Sequence, residues 1–219
     1  MSETVKTRRP YRSTRRAEQA AQTRRDILAA AGALFRERGY TGVSMPVIAA
    51  EAGVVVETIY RAFGSKSALF KAVIDAAVAG GSTRADTPVE DRPAIKALIE
   101  EPDPRRQVAM YAATQPGIHR RSGPLLRALA AAAGSDAYLR ALWDEIEASR
   151  LAGQGRFVGM LGGRGALRTD VSIEQATDAL WTLTSIAVFD MLVTTRGWSV
   201  ERYEAWLAEA LSCALLPKG

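Results

Sequence analysis

Thr58, Tyr60 and Arg61 stand close behind Val55, Val56 and Glu57, and Lys66 follows a few residues later. On one short helix, Val55, Val56, Glu57, Thr58, Tyr60 and Arg61 could be offered to a major groove. The valine methyls can meet a thymine methyl, and the Glu57 carboxylate can accept from a cytosine amino group or pair with Arg61 one helical turn on. Upstream, residues 1–25 hold Lys6, Arg8, Arg9, Arg12, Arg15, Arg16, Arg24 and Arg25 against Glu3 and Glu18 only. The whole chain has a net charge of +5, so the remainder is close to neutral. A basic arm of this kind is either a solvated tail or an element that releases counterions from nucleic acid. Having few large apolar residues, it is read as disordered over residues 1–19.

Other chemistries have little to work with. A single histidine, His119, and a single cysteine, Cys213, leave no set for a zinc site, a disulfide framework or a Ser-His-Asp triad. No cofactor or metal is expected. The glycine-rich run from Gly159 to Gly165 lacks a Gly-Lys-Ser/Thr ending and lies between helical patterns, so it reads as a helix break. Asp144, Glu145 and Glu147 read as a solvated helix face.

These residues need elements to position them. A chain of 219 residues, 47% apolar and 24% charged, has a globular composition and room for a sizeable core. No run approaches the ~18 uncharged apolar residues of a membrane span, and no apolar stretch precedes Ile27, so neither a membrane segment nor a secretory signal is expected. Ile27, Leu28, Ala31, Leu34 and Phe35 form one helical stripe, and Leu69, Phe70, Val73, Ile74 and Ala77 form another. Between them, a short helix starts at Ser44, an N-cap candidate ahead of Pro46, and a second runs from about Val55 to Ala62. Beyond a polar boundary at residues 81–92, helices are expected at 93–100, 104–114, 118–133, 136–160, 173–195 and 200–216, with Pro116-Gly117 as one of the breaks. The expected fold is all-α, with a small N-terminal domain and a larger C-terminal one.

The two short helices meet at Ala52-Gly53-Val54, where glycine permits a tight corner and Ile48, Ala49, Val54 and Ile59 can close over a core. That spacing suits a helix-turn-helix and also an ordinary corner between core helices. The stretch from Arg25 through Leu34-Phe35, Gly39-Tyr40-Thr41-Gly42 and Ser44 resembles the TetR-like transcriptional regulators. So do Ile48-Ala49, Ala52-Gly53-Val54, Thr58-Ile59-Tyr60, Phe63, Ser65-Lys66 and Leu69-Phe70. The resemblance implies a three-helix helix-turn-helix DNA-binding domain over residues 20–66. A fourth helix would link it to a helical effector-binding and dimerisation domain over residues 67–219. It also implies phosphate contacts for Thr58, Tyr60 and Lys66, a cap and phosphate contact at Ser44, and base contacts around Val55, Val56, Glu57 and Arg61. Family members often carry Ser or Thr where Val55 and Val56 stand here, which leaves the base-reading pattern open. Beside such a domain, the arm with Arg15 and Arg16 reads as a DNA-binding element.

The implied partners are a double-stranded DNA operator, an unidentified small-molecule effector and a second copy of the chain, in a cytoplasmic setting. The helix at 173–195 is apolar on more than one face, which suits either a core helix or a dimer interface. Interface candidates are Ala187, Met191, Leu192, Trp206, Leu207 and Leu211. Candidate pocket residues are Met110, Tyr111, His119, Trp143, Trp181 and Phe189, each of which also suits core packing. His119 is expected near a helix start, exposed or structurally hydrogen-bonded. The reading is a ligand-responsive repressor that binds an inverted repeat as a homodimer. The rival reading is an architectural nucleic-acid protein with little sequence preference.

Overall fold

The computed structural model describes residues 10–218, and over those residues the regular structure is entirely helical. The chain divides between Val73 and Ile74 into two units. The division falls within a helix and a few residues beyond the expected boundary at 66.

Unit 1 contains α1 (Pro10–Arg38), α2 (Met45–Glu51), α3 (Val56–Phe63) and the first part of α4 (Lys66–Ala79). Its core is wholly apolar: Ile27, Leu34, Phe35, Ile48, Ile59, Leu69 and Phe70 are all buried. The rings of Phe35, Tyr40 and Phe70 lock together, with Phe35–Phe70 and Tyr40–Phe70 centroids 5.0 and 5.1 Å apart, edge to face. The arm expected to be disordered over residues 1–19 is instead helical from Pro10 onward; residues 1–9 lie outside the described residues. Alanine, glutamine, glutamate and arginine, abundant from residue 15 to residue 25, all favour helix, so the core-bearing part of α1 extends backward without an apolar face of its own.

Unit 2 contains α5 (Ser82–Ala85), a 3-10 turn at Val89–Asp91, α6 (Pro93–Glu100), α7 (Pro104–Ala133), α8 (Ala137–Gly163), α9 (Ile173–Leu183), α10 (Ile186–Phe189), a π-helical segment at Asp190–Thr195, and α11 (Val200–Leu215). Asp103, Asp136, Ser172 and Ser199 cap their helices with side-chain oxygens, and Ser172 with Gln175 forms a full capping box. Helices α7, α8, α9 and α11 pack around one cluster that includes Val108, Phe157, Leu161, Leu180, Phe189 and Tyr203.

Two expectations fail here, in opposite directions. The break at Pro116-Gly117 does not occur: α7 is one helix of 30 residues with Pro116 and Pro124 inside it. Proline removes one helical hydrogen bond, but burial of Ala112, Pro116 and His119 on the same face outweighs that loss. Conversely, the single helix expected at 173–195 is broken at Thr184-Ser185, bending by 42°. There Ser185 caps a new helix by accepting from the Val188 amide, so the hydroxyl competes with the continuing ladder. Among the described residues, no single helix is long and apolar enough to cross a membrane.

Candidate functional site

The corner between α2 and α3 is a Schellman turn. The Val54 amide donates to Ala49 O at 3.0 Å and the Gly53 amide to Ala50 O at 3.3 Å, while Gly53 takes φ +65°. Ile48 and Ile59 are fully buried on either side, which fixes the angle between the two helices. As a result α3 turns Val55, Glu57, Tyr60 and Arg61 outward, with Val56 and Thr58 half-buried. Tyr60 is 49% exposed and so is available for contact rather than a packing residue. The Glu57–Arg61 ion pair expected from their spacing does not form, and both side chains face solvent. Ser44 occupies the N-cap position of α2, but its exposed hydroxyl makes no cap bond.

Lys66 starts α4 with Nζ 4.3 Å over the Tyr40 ring, and burial lowers its pKa from the usual lysine value. Ser65 caps the same helix by accepting from the Ala68 amide at 3.1 Å. Arg24 ties α1 to the end of α3: its guanidinium donates to Ala62 O at 2.9 Å and lies 4.2 Å over the Phe63 ring.

Between the early turns of α1 and the face of α3 lies a cleft of about 670 Å³, within unit 1. Arg16, Gln19, Thr23 and Arg24 line one wall, and Val54, Val55, Thr58 and Arg61 the other. Three arginines and no carboxylate line it, which suits a phosphate-bearing strand. Arg15 is exposed on α1 but is not among the lining residues. Gln19 escaped sequence reasoning because the arm over residues 1–19 was taken as disordered, and Thr23 and Arg24 because their place beside it on one helical face was then not visible. On a helix, Arg16, Ala20 and Arg24 fall at i, i+4, i+8, one continuous stripe.

Unit 2 holds a second concentration of functional groups. Tyr111, Gln115 and His119 share one face of α7 through the undisturbed helical repeat. The Tyr111 ring stacks on Phe157 of α8 at 4.5 Å. His119 lies 4.9 Å from Phe189, which lies 5.0 Å from Tyr203 of α11. His119 is thus mid-helix and buried, not exposed near a helix start, and its Nε2 has no hydrogen-bond partner. Burial first, then Arg150, pull its pKa down to about 4, with Arg127 also lowering it and Asp190 opposing. Burial pushes the Tyr111 phenol up to about 12, against Gln154 and Arg150, and burial likewise raises Tyr203.

Of the six expected pocket residues, Met110, Tyr111 and Phe189 join the unit 2 core cluster, and His119 packs against its rings. Trp181 lies outside the cluster and is held by Arg150, which donates to Trp181 O at 2.9 Å and lies 4.6 Å over the ring. Trp143, also on α8, lies half-buried and outside the cluster. Glu147, expected to be a solvated acid, is instead paired with Arg150 at 2.7 Å. Gln154, Thr184 and Tyr203 were not anticipated; isolated polar residues in apolar helices carry no signal without their neighbours.

The expected interface set also changes. Leu207 and Leu211 are fully buried inside the unit's own core, so they cannot meet a second copy. They occupy the stripe of α11 that faces α7 and α9. Ala187 and Met191 are exposed, and Leu192 and Trp206 are partly so.

Taken together, these features describe an exposed helix-turn-helix on a small apolar core and a larger helical unit whose apolar core holds several buried polar groups. Residues 27–73 match the model of the family described as bacterial regulatory proteins, tetR family. No curated protein matches it in sequence. Among solved structures, a chain described as a TetR-family regulator from Mesorhizobium loti is 24% identical, with TM-score 0.63 over 90% of this chain and 98% of that one. A regulator from Saccharomonospora viridis, solved in complex with choline, is 21% identical, with TM-score 0.62 over 90% and 99%. FadR from Bacillus subtilis, solved in complex with stearoyl-CoA, is 16% identical, with TM-score 0.62 over 85% and 96%. At these identities the likeness is one of fold.

Proposed function

We propose that this regulator is a ligand-responsive repressor that binds an inverted-repeat operator as a homodimer and leaves DNA when a small molecule occupies unit 2. The observation that carries the reading is the pairing of an outward-facing α3 with the arginine-lined cleft beside it. Val55, Glu57 and Arg61 enter the major groove, while Ser44, Thr58, Tyr60 and Lys66 hold flanking phosphates. Arg16, from the expected arm, takes a phosphate in the cleft, and Arg15 adds charge beside it. Two such helices must reach successive major grooves about 34 Å apart, which requires a dimer. The exposed Ala187 and Met191, with Leu192 and Trp206, supply its contact.

Effector response is supported by the way α7 is tied to α4. The Arg121 guanidinium on α7 donates to Ala77 O at 2.7 Å and to Val78 O at 3.3 Å, fastening the carboxyl end of α4. Gly80, at φ +87°, closes the α4 turn immediately after. His119 lies half a turn from Arg121 on the same helix, so a ligand that displaces α7 there pulls on α4. Such a ligand acts only through its differential affinity for the two states. The choline and stearoyl-CoA bound by the two structural neighbours give precedent for small-molecule occupancy of this fold.

Selection from a random duplex library at near-physiological salt tests the reading. An enriched inverted repeat is expected. Because Val55 and Val56 offer no hydrogen-bond donors, recovery of DNA without any enriched sequence would favour the architectural alternative.

A further inference from the structure

Among the described residues, the buried side-chain atoms without a hydrogen-bond partner all lie in unit 2: Gln107 Oε1, near the start of α7, and three atoms further into the bundle. His119 Nε2 on α7, Tyr203 Oη on α11 and Gln154 Oε1 on α8 have no hydrogen-bond partner. Gln154 uses its amide to donate to Thr184 Oγ1 at 2.7 Å. His119 and Gln154 are each 5% exposed and Tyr203 is 0% exposed. Buried polar groups are normally satisfied, so unpartnered ones on three converging helices call for a partner that arrives.

The backbone is irregular around the same place. Pro116 and Pro124 flank His119 in α7. Phe189, which lies between His119 and Tyr203, closes the four-residue α10 and opens directly into the π-helical segment at Asp190–Thr195. π-Helical turns and interrupted helices concentrate where proteins bind ligands. Short elements with few internal hydrogen bonds are also the ones that move most easily, so Phe189 is the ring placed to swing aside.

The charges nearby are already matched. Arg127 binds Asp190 at 2.9 Å, and Arg150 binds Glu147 at 2.7 Å while also donating to Trp181 O. Among the described residues, the charged groups that act on His119, namely Arg127, Arg150 and Asp190, are all paired. A charged guest would have to break one of these pairs and strand its partner in a site of low polarity. The rings of Tyr111, Phe157, Phe189 and Tyr203 supply flat apolar walls.

We propose that the effector of this regulator is an uncharged molecule with an aromatic or similarly flat body and amide or hydroxyl groups. It displaces Phe189 and hydrogen-bonds to His119 Nε2, Tyr203 Oη and Gln154 Oε1. The proposal rests on the ligand-responsive reading above and adds the chemical class of the ligand to it.

The test uses the full chain and probes of matched shape. Benzamide and phenol are neutral, benzoate is an anion and benzamidine a cation. Binding is read by tryptophan fluorescence and by the unfolding midpoint. Benzamide or phenol should bind at least about tenfold more tightly than either charged probe. Tyr203→Phe removes a hydroxyl that has no partner, so its unfolding midpoint should not fall, while its affinity for the neutral probe should weaken about tenfold. Failure of both neutral probes to bind overturns the proposal. So does equal binding of benzoate or benzamidine, or neutral-probe binding that is unchanged in Tyr203→Phe. A mobility shift with the selected operator separates the two readings. Neutral binding that depends on Tyr203 but leaves DNA affinity unchanged supports this site and retires ligand-controlled release. DNA release by a charged molecule that Tyr203→Phe does not affect overturns this site and leaves ligand-controlled release standing.

Discussion

The two units solve the problem of a helical core differently. In unit 1 every fully buried side chain among the described residues is apolar, and its short helices α2 and α3 are uninterrupted. Unit 2 buries Gln107, Gln115, His119, Ser122, Gln154, Thr177 and Thr184, and its helices carry internal prolines, a 42° break and a π-helical segment. A dry, close-packed core resists deformation, which suits a unit that must present α3 at a fixed angle. Partly satisfied polar groups and interrupted helices lower the cost of rearrangement, which suits the ligand response proposed for this unit.

The largest effect that bears on this contrast is expected from a pair of truncations. Phe35→Ala should destabilise unit 1 by about 3–5 kcal/mol, because nothing around the Phe35–Tyr40–Phe70 cluster can collapse into the space. Phe189→Ala should cost unit 2 roughly half of that or less, since the ring borders irregular backbone. Trp143, Trp181, Trp198 and Trp206 are the chain's four tryptophans and all lie in unit 2, so fluorescence follows that unit alone while circular dichroism follows both. Equal costs for the two truncations would erase the distinction.

A smaller effect is expected from pH. The folded pKa of His119 lies near 4, below its usual value of 6.5, so between those values the unfolded chain binds the extra proton. Stability is therefore full above about pH 6.5 and declines as pH falls toward 4, by roughly 2–3 kcal/mol from this group. The groups around the ring are Arg127 on α7, Arg150 on α8, Asp190 in the π-helical segment and Tyr203 on α11. Urea unfolding across this range, followed by tryptophan fluorescence, should lose that component in His119→Gln. An identical pH profile in the variant would mean that the polar interior of unit 2 does not bear on its stability.

The smallest effects belong to the proposed DNA face, where stability should change little: loss of the Lys66 contact with the Tyr40 ring costs about 0.5–1 kcal/mol. Lys66→Ala should weaken binding to all sequences about tenfold, as loss of a phosphate contact does. Arg16→Ala should cost a few-fold and reduce the slope of log affinity against log salt by about 0.9. An unchanged slope would remove the cleft from the interface. Sequence-dependent losses from Lys66→Ala would instead place Lys66 among the base-reading residues.

The two units also differ in how far they could be read in advance. The helix-turn-helix corner was legible because Ile48, Gly53 and Ile59 fix it through neighbours a few residues away. The start of α1 was misread because charge was taken to mean disorder, although Arg16, Ala20 and Arg24 share a helical stripe. In unit 2 the helix count was close, but Pro116 was taken as a break, and with α7 divided there the alignment of Tyr111, Gln115 and His119 was not visible. Leu207 and Leu211 had the right chemistry for an interface and were claimed by the core.

What the amino-acid order determined by itself is whatever depends on residues close together in the chain. This includes the helical repeat of apolar positions, the caps at Asp103, Asp136 and Ser172, the glycine corner, and the basic charge ahead of it. Only the tertiary structure decided that α7 runs through Pro116, that the chain bends at Thr184-Ser185, and that His119 and Tyr203 face each other's surroundings without partners. Each of these depends on burial against segments distant in sequence, and burial free energy from α8, α9 and α11 can outweigh a local preference of one or two hydrogen bonds.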